Sequence, residues 1–188
     1  MSELTKHALV SAFGTVLAKK PFAKITIRDI TDECGLNRMT FYYHFKDIYD
    51  LIQWMIENRI KRLLADSADI TWKEQYRRIL EFAIEKKAVI VRILAGIEHQ
   101  YIRACLKNLA TGIARRAITE IIGDTPILEE DLSFMARLYA GILVEVLLDW
   151  VGGGMREGTD LTVARVALVL DGTALRAAEG FAEMRKNP

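Results

Sequence analysis

The chain has 188 residues, 51% of them apolar and 27% charged, with a formal net charge of +1. That is material for one large or two small soluble domains with a real core. No run of about 18 apolar residues offers a membrane span, and Met1–His7 lacks the charged-then-apolar layout of a signal peptide, so no membrane partner and a cytoplasmic location are expected. Few prolines and many Ala, Leu, Ile, Arg and Glu favour helices. The first predicted helix runs from about Leu4 to Lys20, with Leu9, Val10, Phe13, Val16 and Leu17 as its apolar stripe. Pro21 ends it.

Two short helices joined by a tight turn follow. Thr26 is a good N-cap for a helix with Ile27 and Ile30 three apart. Gly35 comes where a left-handed residue reverses the chain at no Cβ cost. Asn37 caps a second helix that begins at Arg38. On it Phe41 and Phe45 are four apart and point one way, into a core. Arg38, Met39, Tyr42, Tyr43 and His44 are left on the other faces. Asp47 reads as the N-cap of a fourth helix reaching about Leu64, with Ile48, Leu51, Ile52, Met55, Ile56 and Ile60 buried. Arg59, Lys61 and Arg62 suit the negative end of its dipole.

The polar stretch 66–71 is the expected junction. Beyond it helices are predicted near 72–87, 88–96, 98–122, 129–151 and 162–185, the first capped by Thr71. Gly123-Asp124-Thr125-Pro126 and Gly152-Gly153-Gly154 separate the later ones. With no strand alternation and no repeat, the expected fold is all-α. A three-helix helix-turn-helix domain over 1–46 precedes a helical effector and dimerisation domain of about five to six helices over 47–188, helix 47–65 connecting them.

The last two helices stand out. Helix 129–151 is apolar nearly all round, from Leu132, Phe134 and Met135 to Trp150 and Val151, more than one packed face explains. Helix 162–185 carries Ala164, Ala167, Gly172, Ala174, Ala177, Ala178 and Gly180, which permit close approach. Pairing with two-fold copies would make a four-helix, core-like interface; the alternative is that both are internal to a monomer. A homodimer through 129–151 and 162–185 is the expectation.

Helix-turn-helix geometry places the second helix in the major groove of double-stranded operator DNA. Arg38 can then make a bidentate bond to a guanine edge, and Arg28 can reach a base or a phosphate. Thr40 and Tyr42 suit a phosphate or a thymine methyl. Met39 shares the exposed side, Tyr43 offers a flat face and a hydroxyl, and Asn37 stands at the helix start. His44 and Lys46 suit backbone phosphates, which fix register. Thr26 can present its backbone N–H to a phosphate. Taken singly, Tyr42 or His44 is as well read as a solvated surface residue; together on one short helix the set favours DNA. Residues 1–46 also carry seven Lys/Arg against four acids, a surplus of three that leaves the rest of the chain at −2, the sign expected of a DNA-binding head.

The run Gly35-Leu36-Asn37-Arg38-Met39-Thr40-Phe41-Tyr42-Tyr43-His44-Phe45, with Leu51 on the next helix, closely resembles the DNA-binding domain of the TetR family of bacterial transcriptional regulators. The resemblance covers roughly the first third of the chain. It implies a homodimer through the last two long helices and, in most members, a small-molecule effector pocket in the C-terminal domain, with repression commoner than activation. Three positions depart from the pattern. Pro21-Phe22 stands where a glycine precedes the aromatic, Thr31 where a small residue is usual, and Asp47-Ile48 where a Ser-Lys pair contacts phosphate, a role left to Lys46. Residues 37–45 and 47–51 further resemble a subgroup that includes activators of dihydroxyacetone-kinase operons. In some of these a protein co-activator docks instead of a metabolite.

Pocket candidates are Trp72, Tyr76, Phe82, Arg92, His99, Tyr101, Arg103, Tyr139 and Glu145; the bland reading is that such aromatics are core. Glu145 on so apolar a helix calls for a cation or a cavity. No metal is expected, since His99 has no second ligand at i+3 or i+4, and Cys34 and Cys105 form neither a metal pair nor a CxxC. No cofactor and no enzymatic activity are expected. There is no Gly-rich phosphate loop and no nucleophile beside a base, and Glu129-Glu130-Asp131 suits the start of a helix.

Overall fold

The computed structural model describes residues 2–65 and 70–186, so positions 66–69 of the expected junction lie outside the described residues. The elements are α1 (Ser2–Lys19), a 3₁₀ turn (Phe22–Lys24), α2 (Ile27–Glu33), α3 (Arg38–His44), α4 (Ile48–Leu63), α5 (Trp72–Glu85), α6 (Lys87–Leu94), α7 (His99–Ile122), α8 (Glu129–Gly152) and α9 (Thr159–Lys186). Among the described residues there is no strand, and the fold is all-α. Helix ends agree with the sequence expectation to within about three residues. The 3₁₀ turn was not anticipated: it folds Phe22 inward, buried, directly after Pro21.

The chain forms two compact units, and they divide elsewhere than at residue 46. The first joins Met1–Arg62 to Lys86–Tyr101, and the second joins Leu63–Glu85 to Ile102–Pro188. In the first unit Leu9, Phe13, Val16 and Leu17 of α1 are buried with Ile30, Phe41, Phe45, Leu51 and Ile52. Phe22 meets Phe13 edge-on, with ring centroids 6.4 Å apart. The turn after α6 lies so close to Phe22 that a Cβ on Gly96 would sit 2.9 Å from that ring. Glycine is required there by proximity. From α6 itself the Arg92 guanidinium donates to the carbonyls of Leu17 and Ala18 at 2.8 and 2.6 Å. Those oxygens belong to the last turn of α1, where a helix has no further N–H to offer them.

In the second unit α9 packs against α5 and α8. Trp72, Tyr76 and Leu80 of α5 are buried, as are Ala114, Ala117 and Ile118 of α7, Met135, Tyr139 and Leu143 of α8, and Leu170, Ala174 and Ala178 of α9. The opposite faces of α8 and α9 are apolar too: Phe134, Leu138, Leu161, Leu168 and Val169 are about half exposed or more, and Leu175 lies near 38%.

Between α2 and α3, Gly35 adopts φ +68°, the left-handed conformation its place after α2 implies. Leu36 N–H closes the turn on the Thr31 carbonyl at 2.9 Å. Gly35→Ala should cost about 1–2 kcal/mol, the strain of a Cβ in that region, read as a lower urea midpoint at unchanged slope.

Candidate nucleic-acid interface

Reciprocal bonds fix the start of α2. The Asp29 N–H donates to Thr26 Oγ1 at 3.2 Å, while the Thr26 N–H and hydroxyl donate to Asp29 Oδ2 at 2.7 and 2.6 Å. This corrects one expectation. The sequence lets the Thr26 N–H face a phosphate, and in the structure the capping box takes it up instead. Lys20 Nζ sits 2.5 Å from the same carboxylate oxygen. Lys20, then the Thr26 hydroxyl and N–H, hold the Asp29 carboxyl well below its usual range.

Two measurable consequences follow from that box. Thr26→Ala should lower stability by about 1 kcal/mol, the usual worth of such a cap, and amide exchange should quicken first in α2. Because the folded-state pKa lies below the unfolded 3.8, the Asp29 contribution is complete above that pH and is lost as pH falls beneath it. Urea midpoints taken on either side of that value should diverge more in the wild type than in Asp29→Asn.

Thr31, in place of a small residue, is buried, and its hydroxyl turns back to the carbonyls of Ile27 and Arg28, both at 3.1 Å. The polar group is thus satisfied within its own helix. Asn37 caps α3: its Oδ1 accepts from the Thr40 N–H at 2.7 Å and the Thr40 hydroxyl at 2.9 Å. Phe41 and Phe45 point inward, 0% and 2% exposed, with rings 5.9 Å apart.

The remaining side of α3 is bare. Met39 is 76%, Tyr42 55% and Tyr43 83% exposed; Arg38 is also exposed. Tyr42 stands edge-on to Phe41 at 5.8 Å, and Tyr43 to the half-buried His44 at 4.9 Å, so both rings are braced from behind. Arg28, on α2, pairs with Asp32 at 3.4 Å while both stay well exposed. Such a pair contributes little and yields readily to a phosphate. At the α4 start the Lys46 N–H donates to Asp50 Oδ2 and the Asp50 N–H to Asp47 Oδ1, each at 2.9 Å. Asp47 thus caps α4, and Lys46 remains exposed with its side chain outward of that turn.

The pocket candidates fall in both units. Arg92, His99 and Tyr101 belong to the first unit and the other six to the second. Tyr101 rests on the ring of Tyr49 at 5.0 Å, Arg92 caps α1, and His99 is exposed at the start of α7. Trp72 is fully buried and Phe82 half-buried. Tyr76 is buried, its hydroxyl donating to the Leu143 carbonyl at 2.8 Å, and desolvation pushes its pKa up. The Tyr139 and Thr173 hydroxyls bond at 2.8 Å. Glu145 has the cation it called for. Arg103 bonds it through two nitrogens at 2.7 and 3.1 Å and holds its carboxyl below the usual value, and both side chains are about half exposed. Among the described residues no three metal-ligating side chains gather.

Two features escaped the sequence reading. Leu161, Leu168 and Leu175 form an exposed row on α9, and their spacing of seven was the available signal. Beside it an open groove of about 520 Å³ runs between α8 and α9, floored by Ile142, Val146, Trp150 and Val166 and edged by Asp149 and Arg165.

Comparison with known proteins bears on both parts of the chain. Residues 14–54 match the family model described as "Bacterial regulatory proteins, tetR family". Residues 70–172, more than half the chain, match a TetR-type model described as "Transcriptional regulator C-terminal region". The chain is 24% identical over 105 residues to the HTH-type dhaKLM operon transcriptional activator DhaS of Lactococcus lactis, a match spanning 54% of this chain and 56% of that protein. A second curated relative, the HTH-type transcriptional regulator YxbF of Bacillus subtilis, is 41% identical over 61 residues, which is 32% of this chain and 16% of that protein. The chain thus spans about half the length of the first relative and a small part of the second.

Among solved structures, the dihydroxyacetone kinase operon activator DhaS aligns at TM-score 0.65 with 18% identity, over 88% of this chain and 93% of that one. A TetR-family transcriptional regulator from Pectobacterium atrosepticum aligns at 0.51 with 22% identity, over 90% and 92%. These likenesses establish the fold. The matched families are transcriptional regulators rather than enzymes, and among the described residues no helix is long and apolar enough to cross a membrane. The chain belongs to the TetR family of bacterial transcriptional regulators.

Proposed function

We propose that this chain acts as a homodimer that binds double-stranded operator DNA through α3 and represses transcription until a small molecule binds its C-terminal domain. The observation that carries the DNA reading is the bare row of Arg38, Met39, Tyr42 and Tyr43 on a helix whose other side is locked by Phe41 and Phe45. Support for the dimer is the apolar face of α8 and α9. It is continuous with the groove through Val169, which lines the groove and is 49% exposed. A two-fold pair reads a near-palindrome whose half-sites lie about 34 Å or a multiple apart.

Competition binding on the chain's own promoter against random duplex, across a salt series, tests this. Preference for the promoter with a steep loss of affinity as salt rises is expected; equal binding to both would sink the reading. Within it, Arg38→Ala should cost about 1–3 kcal/mol and relax one base preference, whereas Lys46→Ala should weaken all sequences alike and flatten the salt slope by about one. A uniform loss from both would count against those roles.

A second reading, a regulator or activator controlled by a protein partner docked on the C-terminal domain, has its own support. Tyr76, Tyr139, Arg92 and the Arg103–Glu145 pair are engaged in intramolecular bonds, and one relative is named an operon activator. Thermal shifts with the metabolites handled by neighbouring genes, set beside shifts with the proteins those genes encode, separate the two. Whichever class raises the melting midpoint identifies the effector.

A further inference from the structure

Base edges meet a recognition helix at its first turn, and the side chains there differ in what they still have free. To read adenine an asparagine must offer its carbonyl and amide together. The Asn37 Oδ1 already accepts two bonds from Thr40. Thr40 has committed its hydroxyl proton to that same atom and is half-buried. Arg38 remains, with the fork that suits guanine, and so does Met39, 76% exposed.

A thioether is too weak an acceptor to read a hydrogen-bonding edge, and bare in water it leaves apolar area whose burial would stabilise a complex. Tyr43, 83% exposed and four residues on, shares its side of the helix. The two make an apolar strip beside Arg38. The apolar feature that base pairs present in the major groove is the C5-methyl of thymine. Resting on the operator-binding reading above, the geometry points to Met39 as the reader of a thymine methyl neighbouring the guanine that Arg38 contacts. Each half-site therefore contains a guanine with a thymine beside it, and that thymine is recognised by its methyl.

Duplexes selected from a random library by the full-length protein supply the half-site. Each thymine is then replaced singly by deoxyuridine, which deletes the methyl and keeps the pairing. At the thymine beside the guanine, wild-type affinity should fall about fourfold per half-site, the worth of one buried methyl. 5-Bromodeoxyuridine, whose bromine fills the methyl volume, should restore it, and Met39→Ala should bind thymine and deoxyuridine duplexes alike. Three results would overturn the assignment while leaving operator binding intact: wild-type indifference to uracil at every position, a selected half-site with no thymine beside the guanine, or a methyl dependence that survives Met39→Ala. If selection enriches no sequence at all, the operator-binding reading itself falls, and the Met39 assignment with it.

Discussion

If the proposed dimer forms, the wild type should elute at twice the 21.3 kDa chain mass and a chain carrying Leu168→Glu as a monomer near 21.3 kDa. Leu168 is 77% exposed at the centre of the row Leu161, Leu168, Leu175, so the change leaves the protomer core untouched. In a two-fold interface it buries one carboxylate from each subunit among apolar side chains, and burying an unpaired charge is costly. Loss of the second reading helix removes the gain from bivalent contact, so affinity for a two-half-site duplex should fall by about 10²–10⁴. Light scattering and anisotropy on the same samples check both effects. The wild-type melting midpoint should also rise with protein concentration, as mass action requires of a dimer, and that of the variant should not. A variant that stays dimeric with full affinity would move the interface to another face.

Phe41→Ala should be the most damaging single change inside the first unit. Its ring is fully buried and touches Phe45 and Tyr42, and truncation of such a phenylalanine costs about 3–5 kcal/mol. Total stabilities are about 5–15 kcal/mol, so α3 would lose its anchor over much of the usable temperature range. Hydrogen exchange should speed up in α2 and α3 while the second unit stays protected, and DNA binding should disappear under conditions where Tyr43→Ala still folds. Uniform exchange through both units would mean that the two unfold as one.

Local chemistry made the DNA-reading motif legible. Gly35, Asn37 and the Phe41/Phe45 spacing each act within four residues, and the left-handed turn, the cap and the buried pair all appear as the residues dictate. Helix limits were legible for the same reason. Long-range partners leave no local period and were not. The Thr26 N–H went to Asp29, where the box geometry exceeded what the cap residue alone reveals. Residues 86–101 gave no sign of joining the first unit, because the carbonyls that Arg92 meets lie about 75 positions earlier. The aromatics of the second unit were visible as a set. Which are sealed into core, like Trp72, and which stand half-open, like Phe82, depends on neighbours from other helices.

The guanidinium that closes the end of α1 bears on protein engineering. A chimaera built by cutting after α4 and grafting the operator-reading head onto a foreign sensor would leave the Leu17 and Ala18 oxygens to water and uncover the Phe22 ring against which Gly96 rests. The natural cassette is discontinuous: residues 1–62 travel with 86–101. Specificity swaps between relatives should therefore exchange the α3 surface side chains and leave the backbone junctions where they are.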